Sequence, residues 1–191
     1  MATALSVLVV SSSEKSGRII TGLMNPSLCY PIQFEKSGSG CRRRAPDCGY
    51  DLIVVNTPLS DEFGHDLAMD LARETLAGVI LLVKNDVYEE VCDRVGDAGV
   101  LTVPKPISSQ YFHQTIRLAA AARSRLADAR RENEKLKQKL DEAKLVGRAK
   151  CILVERRQMT EMQAHRYIEK RAMDTRSTRR EVAEKIIRTE G

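Results

Sequence analysis

Hydrophobic residues follow two different rhythms along the chain. In the front half they gather in short continuous runs at 5–10, 52–55 and 79–83, with weaker runs at 30–34 and 100–103. Runs of this length, rich in Val, Ile and Leu, predict strands buried on both faces, because neither side of the pleat is left polar. Between them lie stretches with helical spacing at about 14–24, 65–75 and 87–97. Strands separated by helical segments pair in parallel through crossovers, which predicts a three-layer α/β sandwich.

One interval breaks the alternation. Between Phe34 and Tyr50 a full helix is due, yet the segment holds Gly38, Gly40, Pro46 and Gly49. It is read as a flexible loop at 37–40 followed by a short or distorted helix. The run Arg42, Arg43, Arg44 then becomes a basic loop, solvated or set against nucleic acid or an acidic partner.

From residue 109 no Gly or Pro interrupts the chain until Gly147, longer than an ordinary globular helix. A heptad with position a on Phe112, Ala119, Leu126, Asn133 and Leu140 places Thr115, Ala122, Ala129, Leu136 and Ala143 at d. Small and apolar residues dominate that seam, as a coiled coil requires, and Asn133 at one a position would fix register. A homodimer through Leu126, Asn133, Leu136 and Leu140 is expected; the alternative is a helix that packs on the preceding domain.

In the last 45 or so residues, two capping boxes, Thr160 with Gln163 and Thr178 with Glu181, open two helices. Ala164, Ile168 and Ala172 form one apolar stripe, Val182, Ala183 and Ile186 another, and Leu145, Ala149, Ile152 and Leu153 a third at the end of the long helix. The predicted organisation is therefore a flavodoxin-like (βα)5 receiver-type sandwich over 1–108, a coiled-coil linker helix over 109–146 and a small three-helix bundle over 147–191. In the first of these, function is expected at the carboxyl ends of the strands.

Charge sharpens this division. Residues 1–108 carry 10 basic and 14 acidic side chains, residues 109–146 carry 9 and 5, and residues 147–191 carry 12 and 7. All the excess positive charge of the +5 chain lies in the back half. That fits a polyanion partner and equally a pair of solvated, Lys/Arg-rich helices. Five cysteines with no CxxC pattern and three scattered histidines suggest reduced thiols, a cytoplasmic protein and no metal site or cofactor. No apolar run approaches membrane-spanning length, and the start shows no secretory pattern. No nucleophile–base pair is evident, so an enzyme is not expected.

The strand ends carry a resemblance. The phrase Asp51-Leu-Ile-Val-Val-Asn56, with Gly64 and Lys105-Pro106, is similar to the receiver domain of two-component response regulators over about residues 5–120. In that family an acidic pair holds Mg²⁺, an Asp accepts phosphate, and a Ser/Thr and a Lys complete the site. Here the acidic pair falls on Ser11 and Ser12, the phosphoacceptor on Asn56, and the Ser/Thr on Val83, while Lys105 is retained. Hydroxyls supply no charge for a hard cation, and a carboxamide cannot form an aspartyl phosphate. The resemblance thus implies a pseudo-receiver with a degenerate pocket, serving as a docking or dimerisation surface for a regulatory protein. Asp61 and Asp66, just past Asn56, are read as helix-capping or solvated groups.

The bundle resembles the ANTAR domain through Ala149-Lys150-Cys-Ile-Leu153, Met159-Thr-Glu161-Met-Gln-Ala164, Ala172-Met173-Asp174 and Glu181-Val-Ala183-Glu-Lys-Ile186-Ile187, over about residues 140–189. Cys151 stands where the family often has Gly. The resemblance implies an RNA-binding antitermination regulator that holds tandem stem-loops of a leader RNA, with two bundles of a dimer meeting two loops. Candidate RNA contacts are Arg148, Lys150, Arg157, Arg166, Lys170, Arg171, Arg176, Arg179 and Arg180, about half of them expected to matter and the others to be solvated or paired with Glu such as Glu155, Glu169 or Glu184. Tyr167 is a possible base-stacking residue or a core Tyr. The rival readings are a DNA-binding regulator and a purely dimerising signalling protein.

Overall fold

The computed structural model describes residues 4–191. The chain forms two compact units, the first ending at Asp128 and the second comprising Ala129–Gly191. The first unit runs β1 (Leu5–Ser11), α1 (Glu14–Gly22), β2 (Cys29–Glu35), α2 (Gly38–Cys48), β3 (Leu52–Asn56), α3 (His65–Glu74), β4 (Gly78–Lys84), α4 (Tyr88–Val95) and β5 (Leu101–Lys105), with the start of α5 (Ser109–Arg157). The five strands pair in parallel in the order β2-β1-β3-β4-β5, the flavodoxin-like arrangement the sequence predicts.

Alternation along the strands divides the core into two layers. Leu8, Val10, Ile53, Val55, Leu81 and Val83 face Cys41, Ala45, Leu67, Leu71, Val91 and Val95 of α2, α3 and α4. On the other face Val7, Val9, Leu52, Val54, Ile80 and Leu82 meet Ile20 of α1 and Phe112, Ile116 and Ala119 of α5. Each fully buried aliphatic side chain stabilises by roughly 1.5–3 kcal/mol, so neither layer is dispensable. Close approach of α5 requires Gly78, since a Cβ there would lie 2.9 Å from Ala119 Cβ. An ion pair from Arg123 to Asp51 anchors the helix further along, while the same carboxylate accepts from Ser6 N at 2.8 Å and Ser6 Oγ at 3.0 Å.

The packing corrects the front of the heptad register. Phe112, Thr115 and Ala119 are buried, and Phe112 and Ala119 belong to the sheet core rather than to a coil seam. Their neighbour Ile116, off the heptad seam, is buried with them, a 112-116-119 spacing that satisfies one helical face as well as a heptad does.

The interval between Phe34 and Tyr50 departs most from expectation. It is a helix of 11 residues, α2, whose first turn is the segment read as a flexible loop. Ser37 Oγ accepts from Gly40 N, and Asp61 accepts from Gly38 N at 2.8 Å and Ser39 N at 3.0 Å, so the open end of the helix is capped from a distant loop. A Cβ on Gly38 would meet the Glu62 carboxylate, which would have to move from its place beside Arg42. Pro46 removes one helical hydrogen bond near the end, where Gly49 at φ 59° stops the helix. The arginine run is therefore helical rather than a basic loop: Arg42 pairs with Glu62 and Asp70, and Arg44 reaches Gln33.

The second unit contains the rest of α5, then α6 (Glu161–Thr175) and α7 (Arg179–Glu190). The long helix continues through Gly147 to Arg157. Ala149 and Leu153 pack with Ala164, Ile168, Ala172, Val182, Ala183 and Ile186 in a single buried cluster, the three predicted stripes. Both capping boxes are formed: Thr160 with Gln163, and Thr178 with Glu181. Arg176, in the left-handed region at φ 50°, turns α6 into α7.

The α2 cap gives the first unit an acid sensitivity. The Ser39 and Gly38 N–H groups pull the Asp61 carboxyl down to about 2. A carboxyl whose folded value is depressed contributes fully above its unfolded value, about 4, and loses that contribution as the pH falls from there toward the folded value. Urea midpoints measured between about pH 5 and pH 2 should fall less steeply for Asp61→Asn than for the natural chain.

Candidate functional site

At the carboxyl ends of the strands, parallel register sets Ser11 of β1 opposite Asn56 of β3. Asn56 Nδ2 donates to Ser11 Oγ at 3.0 Å, and Ser11 Oγ donates to the Ser13 carbonyl at 3.1 Å. Ser12 Oγ donates to the Pro58 carbonyl at 3.2 Å, and Lys105 Nζ donates to the Thr57 carbonyl. Thr57 itself is buried and tied to β4 through Leu82 O. Burial, and then the neighbouring Lys84, lower the Lys105 ammonium below its ordinary range. A cavity of about 540 Å³ opens there, with Ser12, Ser16, Asn56, Thr57, Lys84 and Lys105 as its polar lining.

Four of the five sequence-predicted pocket residues converge in this way: Ser11, Ser12, Asn56 and Lys105. Val83 does not. Its parity turns it to the opposite face, fully buried in the layer under α3 and α4, and Lys84 lines the cavity instead. The sequence held that signal in the residue after the run, because side chains alternate along β4 and Lys84 follows five buried positions as its exposed end. The residues do not fit the Mg²⁺ of ordinary receiver sites, since no carboxylate lines the cavity and the two positions that would supply them are hydroxyls. Of the neighbouring acids, Asp61 caps α2, and Asp66 is exposed and paired with Arg94.

The second unit carries the cations. A cleft of about 600 Å³ is lined by Arg157, Arg171, Arg176 and Lys185 together with Tyr167 and Glu190. Arg157 donates to Glu190 Oε2 at 2.9 Å and to Tyr167 OH at 3.1 Å, and its guanidinium lies 5.1 Å from the centroid of the Tyr167 ring. Tyr167 is thus half-buried against the core, with one edge on the cleft.

The nine predicted RNA contacts separate into two groups. Lys150 pairs with Glu161 at 2.7 Å, Arg179 with Glu142 at 3.2 Å, Arg180 with Glu184 at 2.9 Å, and Arg157 with Glu190. Arg148, Arg166, Lys170, Arg171 and Arg176 are exposed and form no ion pair among the described residues. Arg157, Arg171 and Arg176 reach the cleft, whereas Arg166 and Lys170 do not line it. Lys185 is a cleft cation that the sequence reading missed. Its signal was its place beside Ile186, on the edge of the α7 stripe.

Of the dimer-seam candidates, Leu126, Leu136 and Leu140 are 52%, 58% and 55% exposed, and Asn133 is exposed with them. Among the described residues, no group of three or more His, Cys, Asp or Glu converges on a metal position, and no helix is long and apolar enough to cross a membrane.

Comparison with known proteins accords with both halves of this geometry. Residues 134–187 match the ANTAR domain family. Over 142 residues the chain is 30% identical to the transcriptional regulatory protein PdtaR of Mycobacterium tuberculosis, covering 74% of this chain and 69% of that protein. The signal receiver domain of an HD domain-containing protein from Pseudomonas fluorescens Pf-5 superposes with a TM-score of 0.58 at 18% identity, over 67% of this chain and 96% of that one. An adenylate cyclase structure from Rhodopirellula baltica superposes at 0.60 with 12% identity, over 70% and 98%; at such identities the likeness is one of fold alone.

Restoring the acceptor by itself should not restore the receiver chemistry. Asn56→Asp, mixed with beryllium fluoride and Mg²⁺, is expected to give no bound-fluoride signal by ¹⁹F NMR. A bound signal would show that Ser11 and Ser12 suffice to hold the cation.

Proposed function

The chain belongs to the family of ANTAR-domain transcriptional regulators of the antitermination type, and from that membership we propose that it binds stem-loops of a leader RNA through its C-terminal bundle. The observation that carries this reading is the coincidence of the ANTAR match at 134–187 with a bundle whose cleft gathers four cations around Tyr167. Folded RNA exposes its loop bases, while its deep groove is closed to side chains. A cleft edged by cations with one aromatic ring suits an unstacked loop base flanked by its phosphates. The free cations Arg148, Arg166, Lys170, Arg171 and Arg176 would add phosphate contacts around that point. Holding the antiterminator form keeps the terminator hairpin from closing, and this requires binding alone, with no catalytic step by the protein.

The exposed stripe of Leu126, Leu136 and Leu140, with Asn133 among them, supports a homodimer through α5. Two bundles on one dimer would engage two adjacent loops with the advantage of high effective concentration. The first unit, lacking the carboxylates of a phosphorylated receiver, would take its signal from a docked regulatory protein or ligand.

Fluorescence anisotropy against a tandem hexaloop hairpin RNA, with a loop-scrambled control near physiological salt, tests the reading. Loop-dependent binding is expected, and equal binding to both RNAs or preference for duplex DNA would overturn it. Charge reversal of Lys170 and Arg171 together should weaken binding and lower the salt slope by about 1 per lost phosphate contact, with the oligomeric state unchanged. Leu136→Lys should instead give a monomer by light scattering and reduce tandem-RNA affinity toward that for a single hairpin.

A further inference from the structure

The cavity at the strand ends has an unusual balance of charge. Two lysines, Lys84 and Lys105, line it, and no carboxylate does. Neither ammonium forms an ion pair among the described residues; the one polar contact of Lys105 is the Thr57 carbonyl, which occupies one of its three protons. In a receiver that binds Mg²⁺, acidic side chains at this point would offset the lysine. Here hydroxyls and a carboxamide have replaced them, and the same replacements that spoil the site for a cation leave it positive. Ser16 adds a hydroxyl that can donate, and the Asn56 amide is held in place by Ser11.

The other wall is apolar. Ile19 and Ile20 of α1 and Leu23 just past its end line it together with Pro58, Pro106 and Ile107. Ile19 is 57% exposed, so this wall meets water. A pocket of about 540 Å³ is large enough for a ring or short chain in addition to an anionic head, within the range of ordinary metabolite sites. An inorganic ion would satisfy the lysines and leave that wall bare.

We propose that this pocket binds a small organic anion, its carboxylate or phosphate head between Lys84 and Lys105 and its apolar body against Ile19, Leu23 and Ile107. The head replaces the water lost by the half-buried Lys105, and the body covers the exposed apolar wall. No covalent step is involved, since Asn56 offers no acceptor.

The test is ¹H–¹⁵N NMR of the full chain, titrated separately with benzoate, phenyl phosphate, benzyl alcohol and MgCl₂. Benzoate or phenyl phosphate should shift the amides of Asn56, Thr57 and Ile107 saturably, and the tighter of the two identifies the preferred head. Ser12→Asp, an exposed substitution that returns one negative charge to the rim, should weaken that binding by about tenfold or more, as loss of a charge-assisted contact does. Lys84→Gln should weaken it as well. Equal shifts with benzyl alcohol, shifts with Mg²⁺ alone, no saturation by about 50 mM, well above ordinary metabolite affinities, or unchanged affinity in Ser12→Asp would each overturn the proposal.

Discussion

A parallel sheet has no face it can leave to water, and most of this structure follows from that constraint. Val7 to Val10, Leu52 to Val55 and Ile80 to Val83 are wholly buried, so both sides need a helical cover. Three helices supply one side. The other side has only α1 and the beginning of α5, which is why Phe112, Ile116 and Ala119 are committed to the sheet and why Gly78 must lack a side chain. Burial of the strands leaves polar function only at their ends, where Ser11 and Asn56 emerge from the neighbouring strands β1 and β3 and Lys84 and Lys105 from β4 and β5. The pocket is thus a product of register, and its chemistry depends on which residue happens to be last in each strand.

The same parity explains what could be read in advance and what could not. The strands, the bundle stripes and the capping boxes are local patterns, and each lies where its own residues place it. Helix α2 was hidden because the features that stabilise it are not local. Gly38 and Gly40 read as linker until Asp61 and Glu62, more than 20 positions away, arrive to cap the first turn and to hold Arg42. Val83 was misplaced for a different reason. A continuous apolar run shows that a strand is buried on both faces, so the pocket position belongs to the polar residue that follows it, Lys84, and not to the last apolar one. The division of the cations into paired and free depended on glutamates from other helices, such as Glu142 against Arg179 and Glu190 against Arg157, and no single-helix spacing reveals those partners.

Carboxylates are distributed in opposite ways in the two units. The strand-end pocket has none among its lining residues, whereas in the bundle nearly half of the candidate cations have a carboxylate partner. Such pairs lie at the surface, where each contributes about 0–1 kcal/mol. They are too weak to withhold an arginine from a polyanion with many phosphates. Their effect is to fix position: Glu190 and Tyr167 together hold Arg157 over the cleft, so that its guanidinium is already oriented when a ligand arrives. Pre-orientation of that kind lowers the side-chain entropy lost on binding.

It follows that the free and the paired cations would serve different purposes on the same surface. Arg166 and Lys170, exposed on α6 and not lining the cleft, offer charge without direction and would act on any polyanion through counterion release. Arg157, Arg171, Arg176 and Lys185 surround a concave space beside an aromatic ring, and only a ligand that projects a group into that space can use them together. A uniform basic face would distinguish RNA from other polyanions poorly. A cleft whose best-placed cation is held beside an aromatic ring favours ligands that bring a projecting base as well as phosphate, because only they gain the ring. On the proposed reading, selectivity for a looped RNA over a regular duplex would arise from the placement of Arg157 beside Tyr167, with the remaining cations setting the overall affinity.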